Sequence, residues 1–170
     1  MAPTYKHIQS ITASGSSGTM EFTSIPQTYT DLVLHITSRS SYAAIADDAW
    51  LFFNGSTSDR TTIFVYGSGS SASSLTSGIA NDGFFTTSDT ATANVFSSST
   101  IYIPDYTSSK IKSFSTDTVD ENNATTTYQA LLSGLWSNTA AITSIQIVTA
   151  GGRGVWKQYS TASLYGIKNS

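Results

Sequence analysis

The sequence predicts an all-β protein, an antiparallel two-sheet β-sandwich of jelly-roll type, and three observations lead there. Apolar residues recur with a period of two in several segments, as in Leu32, Leu34 and Ile36. Clusters of Gly, Ser and Asn separate these short runs. No stretch reads convincingly as a helix, and no repeat of roughly 20 to 50 residues points to a propeller or solenoid. At 170 residues the chain is long enough for one domain, 1–170, with a sizeable core, and too short for two.

Tyr5 to Thr12 alternates well enough for a first strand, and Ser14 to Gly18 is a flexible turn. Thr19 to Ile25 follows, with Met20, Phe22 and Ser24 on one face and Glu21 and Thr23 on the other; Pro26 lacks the donor a ladder needs and ends it. Asp31 to Arg39 is the clearest strand, with Leu32, Leu34 and Ile36 opposed to Val33, His35 and Thr37. Trp50 to Phe53 runs into Asn54-Gly55, a pair suited to the positive φ angles of a type I′ hairpin turn, with Thr61 to Tyr66 as the return strand. Gly67 to Gly78 is low in complexity and reads as a long surface loop. Weak strand signals at Gly83–Thr87 and Ala93–Phe96 precede a short β run, Thr100 to Ile103, that Pro104-Asp105 ends. Ile111 to Val119 alternates again, Ile111, Ser113 and Ser115 against Lys112, Phe114 and Thr116.

Thr127 to Thr149 is the most apolar segment of its length and reads as two long strands joined at Ser137-Asn138-Thr139, a central hairpin with Trp136 closing one end of the core. A conflicting signal exists: Tyr128, Leu131, Leu132 and Leu135 also fall on a helical stripe. The β-branched run Thr125 to Thr127 and the internal Gly134 favour a strand. Gly151 to Gly154 is then a glycine-rich loop, and Ala162 to Ile167 is the closing strand, for nine to eleven strands in all.

Composition narrows the function classes. Charged residues are 11% of the chain, with a net charge of −3, against about 25% charged residues in an average soluble domain. Polarity comes instead from 30 Ser and 26 Thr, which the sequence places on outer faces and in loops. Such a surface argues against nucleic acid, whose capture needs clustered Lys and Arg, and equally against a polybasic membrane face. With no cysteine, neither disulfides nor thiolate metal sites arise. The amino terminus lacks the apolar core of a signal peptide, so the expectation is a soluble chain made in a cytoplasm. The sequons at Asn54 and Asn123 then mark turns.

Candidate chemistry is sparse. His7 and His35 sit in predicted strands as half-buried packing residues with no metal-ligand spacing around them. No G-x-S-x-G elbow is present. Asp47-Asp48 and Asp120 to Asn123 offer oxygen ligands but lack the spacing of a calcium loop, and nothing singles out a carboxylate pair for glycoside hydrolysis. The glycine-rich stretches lack the G-x-G-x-x-G pattern of a phosphate cradle. The expectation is no catalytic residue, no metal and no cofactor. Three aromatics, Tyr106, Trp156 and Tyr159, lie in or beside predicted loops and are the candidate surface contacts; the alternative is that they cap the ends of the core.

Several phrases occur together: Phe22 to Leu32 (FTSIPQTYTDL), Phe53-Asn54-Gly55, Ile101 to Tyr106 (IYIPDY), Glu121 to Thr125, Gly134 to Ile145 and the ending Ser163 to Ser170 (SLYGIKNS). In these the chain resembles small virion structural proteins of tailed bacteriophages of aquatic bacteria and cyanobacteria. The resemblance spans nearly the whole chain and rests on turns and strand ends, not on a catalytic signature. It implies a non-enzymatic sandwich displayed on a particle and made in the host cytoplasm. The resemblance implies either a capsid decoration (cement) protein, expected as a symmetric oligomer docked on the outside of the major capsid protein or on other virion proteins, or a tail-fibre or receptor-binding module for host glycans. The absence of a shaft or coiled-coil heptads favours decoration.

Overall fold

A computed structural model describes residues 5–77, 82–123 and 126–168. Twelve strands run in order: β1 (Tyr5–Thr12), β2 (Thr19–Phe22), β3 (Asp31–Ser38), β4 (Ala46–Phe53), β5 (Arg60–Gly67), β6 (Ala72–Ser77), β7 (Asp82–Thr87), β8 (Ser97–Ile103), β9 (Lys112–Asn122), β10 (Thr126–Trp136), β11 (Ile145–Thr149) and β12 (Thr161–Ile167), with one 3-10 turn, Ala150–Gly152. They form two antiparallel sheets, β1-β12-β3-β8-β9-β10-β5-β6 and β2-β11-β4-β7. The sandwich expected from the periodicity is present. Eight strands follow jelly-roll order, β1-β12-β3-β8 facing β2-β11-β4-β7. The other four are two inserted hairpins, β5-β6 and β9-β10, that extend one sheet past the other.

Alternation fixes which face turns inward. In β3, Leu32, Leu34 and Ile36 are buried against Leu51, Phe53 and Ile147 of the smaller sheet's strands. In β10 the helical stripe dissolves: Leu132 is 6% exposed and Leu131 57%, the two-residue period of a strand. Gly134 sits opposite Phe114 on β9, whose ring lies over it and meets Phe53 edge-on at 5.4 Å. A Cβ at 134 would fall 2.0–2.5 Å from three ring atoms. Gly134→Ala is therefore expected to cost about 1–3 kcal/mol through overpacking, read as a lower denaturation midpoint with an unchanged slope.

Four expectations are corrected. Asn54 and Gly55 do have positive φ, 52° and 70°, and Ser56 N–H closes the turn on Phe53 C=O at 2.9 Å. Yet β4 and β5 do not pair, because the turn hands the chain from one sheet to the other. Asn54 instead fastens a distant loop, accepting from the N–H groups of Thr143 and Ser144 and donating to Ala141 C=O. The central hairpin fails for the same reason: β10 lies in the large sheet and β11 in the small one, so residues 137–144 cross between them. Gly67–Gly78 is not simply a loop, since β6 pairs with β5 within it, although Gly78 lies outside the described residues. Finally, Ala93–Phe96 forms no strand. The buried Arg39 guanidinium shapes that stretch instead, donating to the carbonyls of Asp89, Ala91, Thr92 and Val95 at 2.7–3.3 Å.

The hydroxyls also depart from expectation. Many Ser and Thr are buried, among them Ser38, Ser40, Thr86, Thr87, Ser88, Ser97, Ser99 and Thr118. They satisfy one another in a seam: Ser38 to Thr86 at 2.7 Å, Ser40 to Ser88 at 2.6 Å and Ser99 to Thr118 at 2.6 Å. A hydroxyl both donates and accepts, so pairs of them enter an interior without a charge. Asp120 lies in this seam with Thr87 Oγ1 donating to it.

Candidate functional site

The unequal sheets leave an open concavity. Strand β7, at the margin of the small sheet, packs on β9, so the inner faces of β5 and β6 extend beyond it. There Phe64, Tyr66 and Leu75 meet Phe85 and Tyr128 around a groove of about 610 Å³. Its aromatic wall is set by ring packing: Phe64 and Tyr66 each meet Phe85 nearly edge-on, at 5.6 and 6.0 Å. Edge-to-face contacts of this kind hold rings in fixed orientations.

Polar side chains line the groove beside the rings, Asp48 standing across from Phe85 in the β4–β7 register. Asp47 and Asp48 come from the start of β4, Arg153 from the glycine-rich loop and Tyr42 from the connection before β4. Arg153 Nη2 donates to Asp47 Oδ1 at 2.6 Å and lies 3.9 Å from Asp48, and its guanidinium carbon sits 4.5 Å from the centre of the Tyr42 ring. Asp47 also accepts from Ser40 Oγ at 3.3 Å and from the Asp48 N–H at 3.0 Å. Burial raises the Asp47 carboxyl above the usual carboxylate range, and the Arg153 charge opposes that rise. The arrangement places hydrogen-bond donors and acceptors side by side next to the aromatic wall. The sequence marked Asp47-Asp48 as possible ion ligands; Arg153 instead supplies the counter-charge.

The three expected surface aromatics are not brought together. Trp156 is 0% exposed, stacked on Phe84 at 6.4 Å, with Nε1–H donating to Ile147 C=O at 3.3 Å. Tyr106 is also 0% exposed, with its hydroxyl donating to Pro26 C=O. Both are corrected to core residues: they follow loops, but the loops fold their rings inward and pair their polar atoms with backbone. Only Tyr159 is a surface side chain, 69% exposed, on a residue with φ of 73°, and it does not line the groove. His7 and His35 are corrected from half-buried to exposed; each lies edge-on to Tyr165, at 5.4 and 5.6 Å, on the outer face of the large sheet. Among the described residues no three His, Asp or Glu side chains gather as a metal site.

Comparison of the sequence with protein-family models and with curated proteins returns no match.

Proposed function

We propose that the chain is a non-enzymatic structural protein of a tailed-phage particle, a decoration subunit seated on the outside of the major capsid protein shell. The observation that best supports this reading is the outer face of the large sheet. Leu131 and Val65 stand directly opposite one another on β10 and β5, with Ile63 and Leu135 on neighbouring positions, and all four are exposed. The cross-strand neighbours of this cluster are mostly hydroxyls, including Ser133, Ser115, Ser113, Ser74 and Thr76, with Asp117 the acid beside Leu131. A broad sheet face that is apolar at its centre, with mostly hydroxyls and a single neighbouring acid, Asp117, around it, suits docking on a partner surface. Jelly rolls serve both capsid and lectin proteins, so the strand order agrees with the reading without selecting it.

The test is imaging of purified particles. Decoration predicts many symmetry-related copies over the shell, and a handful of copies at the tail would favour the fibre or receptor-binding reading and overturn decoration. Leu131→Glu should leave the monomer folded, since that side chain is outside the core, and should abolish co-sedimentation with shells of the major capsid protein.

A further inference from the structure

We propose that the groove under β5 and β6 is a saccharide-binding site, and that its ligand is an uncharged pyranose. The groove's volume of about 610 Å³ falls inside the roughly 300–1,000 Å³ span of small-ligand sites. Its make-up is also that of such sites, mostly apolar walls with a few convergent polar groups.

The class of ligand follows from what the rings and the adjoining polar groups each demand. Tyr66, Phe85 and Tyr128 are partly exposed and present ring surface to the groove. A partner there needs a flat apolar face. Asp48, across from Phe85, and Arg153 are both substantially exposed, with side chains 43% and 42% accessible. A partner there must give and receive hydrogen bonds over a short span. A pyranose meets both demands: one ring face is C–H, and its rim carries vicinal hydroxyls that each donate and accept.

Charge excludes the neighbouring classes. Two carboxylates surround one guanidinium, so an acidic sugar or phosphate would meet Asp47 and Asp48. A cationic ligand would have to approach carboxylates that Arg153 already occupies, with the guanidinium held against the Tyr42 ring. A neutral ligand meets neither obstacle. The Phe64, Tyr66 and Phe85 rings are held by their mutual contacts and Arg153 by its carboxylate and ring, so this part of the site stands preorganised in the folded chain. The inference does not depend on where the chain sits in a particle.

The experiment is a titration of the isotope-labelled full chain, followed by amide chemical shifts, with glucose, galactose, mannose, N-acetylglucosamine and their disaccharides. N-acetylneuraminic acid and glucosamine serve as the anionic and cationic comparators. The expected result is saturable binding of at least one neutral sugar in the millimolar range, with shifts centred on β5, residues 42–48 and Arg153. Arg153→Gln and Asp48→Asn should each weaken it by about tenfold, the effect of losing one good polar contact. Asp48 is exposed enough for the fold to survive its change, glutamine at 153 keeps an N–H donor for the buried Asp47 in place of the guanidinium charge, and an unchanged spectrum outside the groove verifies that both variants are folded. Tyr159→Ala should leave binding unaltered. No saturable binding by any neutral sugar, tighter binding of either charged comparator, or shifts gathered around Tyr159 would each overturn the proposal.

Discussion

Trp156→Ala should lower the stability of the chain by about 3–5 kcal/mol, the cost of emptying a fully buried indole site. The indole loses its stacked contact with Phe84 and its bond to Ile147 C=O, and the latter carbonyl is left in a cavity. The main chain here is a tether as well: Trp156 N–H donates to Ser17 C=O at 2.9 Å, and Ser40 forms a bridge with the same residue. The effect should be read by chemical denaturation beside Tyr159→Ala, whose side chain is mostly in solvent and whose removal should fall within about 0.5 kcal/mol of zero. Equal, small losses for both variants would mean that the indole is a surface group after all. Any loss of ligand or partner binding in Trp156→Ala must be read against this unfolding.

Asp120→Asn should stabilise the chain at neutral pH, by about 1–3 kcal/mol, and do so less and less as the pH falls. Burial pushes the Asp120 carboxyl up to about 6 from an ordinary 3.8, against the opposing effects of the Thr87 hydroxyl, the Glu121 N–H and the Arg39 charge; the Glu121 charge adds to the rise. The folded state thus holds a proton that the unfolded chain has released between pH 3.8 and about 6. Stability attributable to this group is fully present below the lower value and declines as pH rises through the window. Two pKa units correspond to about 3 kcal/mol, an upper figure because the asparagine amide must itself be accommodated. Oδ2 of Asp120 has no hydrogen-bond partner among the described residues, and an amide NH₂ placed there needs an acceptor where the carboxylate needed a donor, which is why the expected gain reaches down to about 1 kcal/mol. The check is the difference in denaturation free energy between parent and variant from pH 4 to pH 8. Parallel profiles would show that Asp120 is not the group responsible.

How far the sequence reveals the fold depends on what holds each strand. Strands β2, β3 and β12 sit in the jelly-roll core, and the alternation of Met20 and Phe22, or of Leu32, Leu34 and Ile36, displays the face that packing selects. Strand β6 shows no such pattern, since Ser, Ala and Thr surround a single Leu75; it is held by backbone bonds to β5 at the margin of the sheet, which leave no trace in side-chain order. The Asn54-Gly55 turn was legible as local backbone geometry. Its strand partner was not, because that choice is made by a loop 87 to 90 residues away. Burial of the hydroxyl seam was likewise hidden, since a serine paired with a serine looks the same in sequence as one in water.

The groove divides in the same way. Asp47-Asp48 and the Gly151–Gly154 loop each stood out in the sequence, but their junction is a contact across 106 residues. Tyr66 and Tyr128 do not announce a groove in the sequence, because nothing local says that the facing sheet ends at the strand carrying Phe85.

That shortfall of one sheet relative to the other bears on how such a protein changes over generations. The interior is anchored by residues such as Leu34, Phe53, Trp136 and Ile147, whereas Leu75 and Thr76 on β6 sit on an overhang beyond the small sheet's last strand, with Tyr66 at its root against Phe85. Substitutions on the overhang alter what the trough admits and leave the interior's packing in place. Inherited variation can therefore collect there, so that one rigid scaffold meets a succession of different partners without refolding for each.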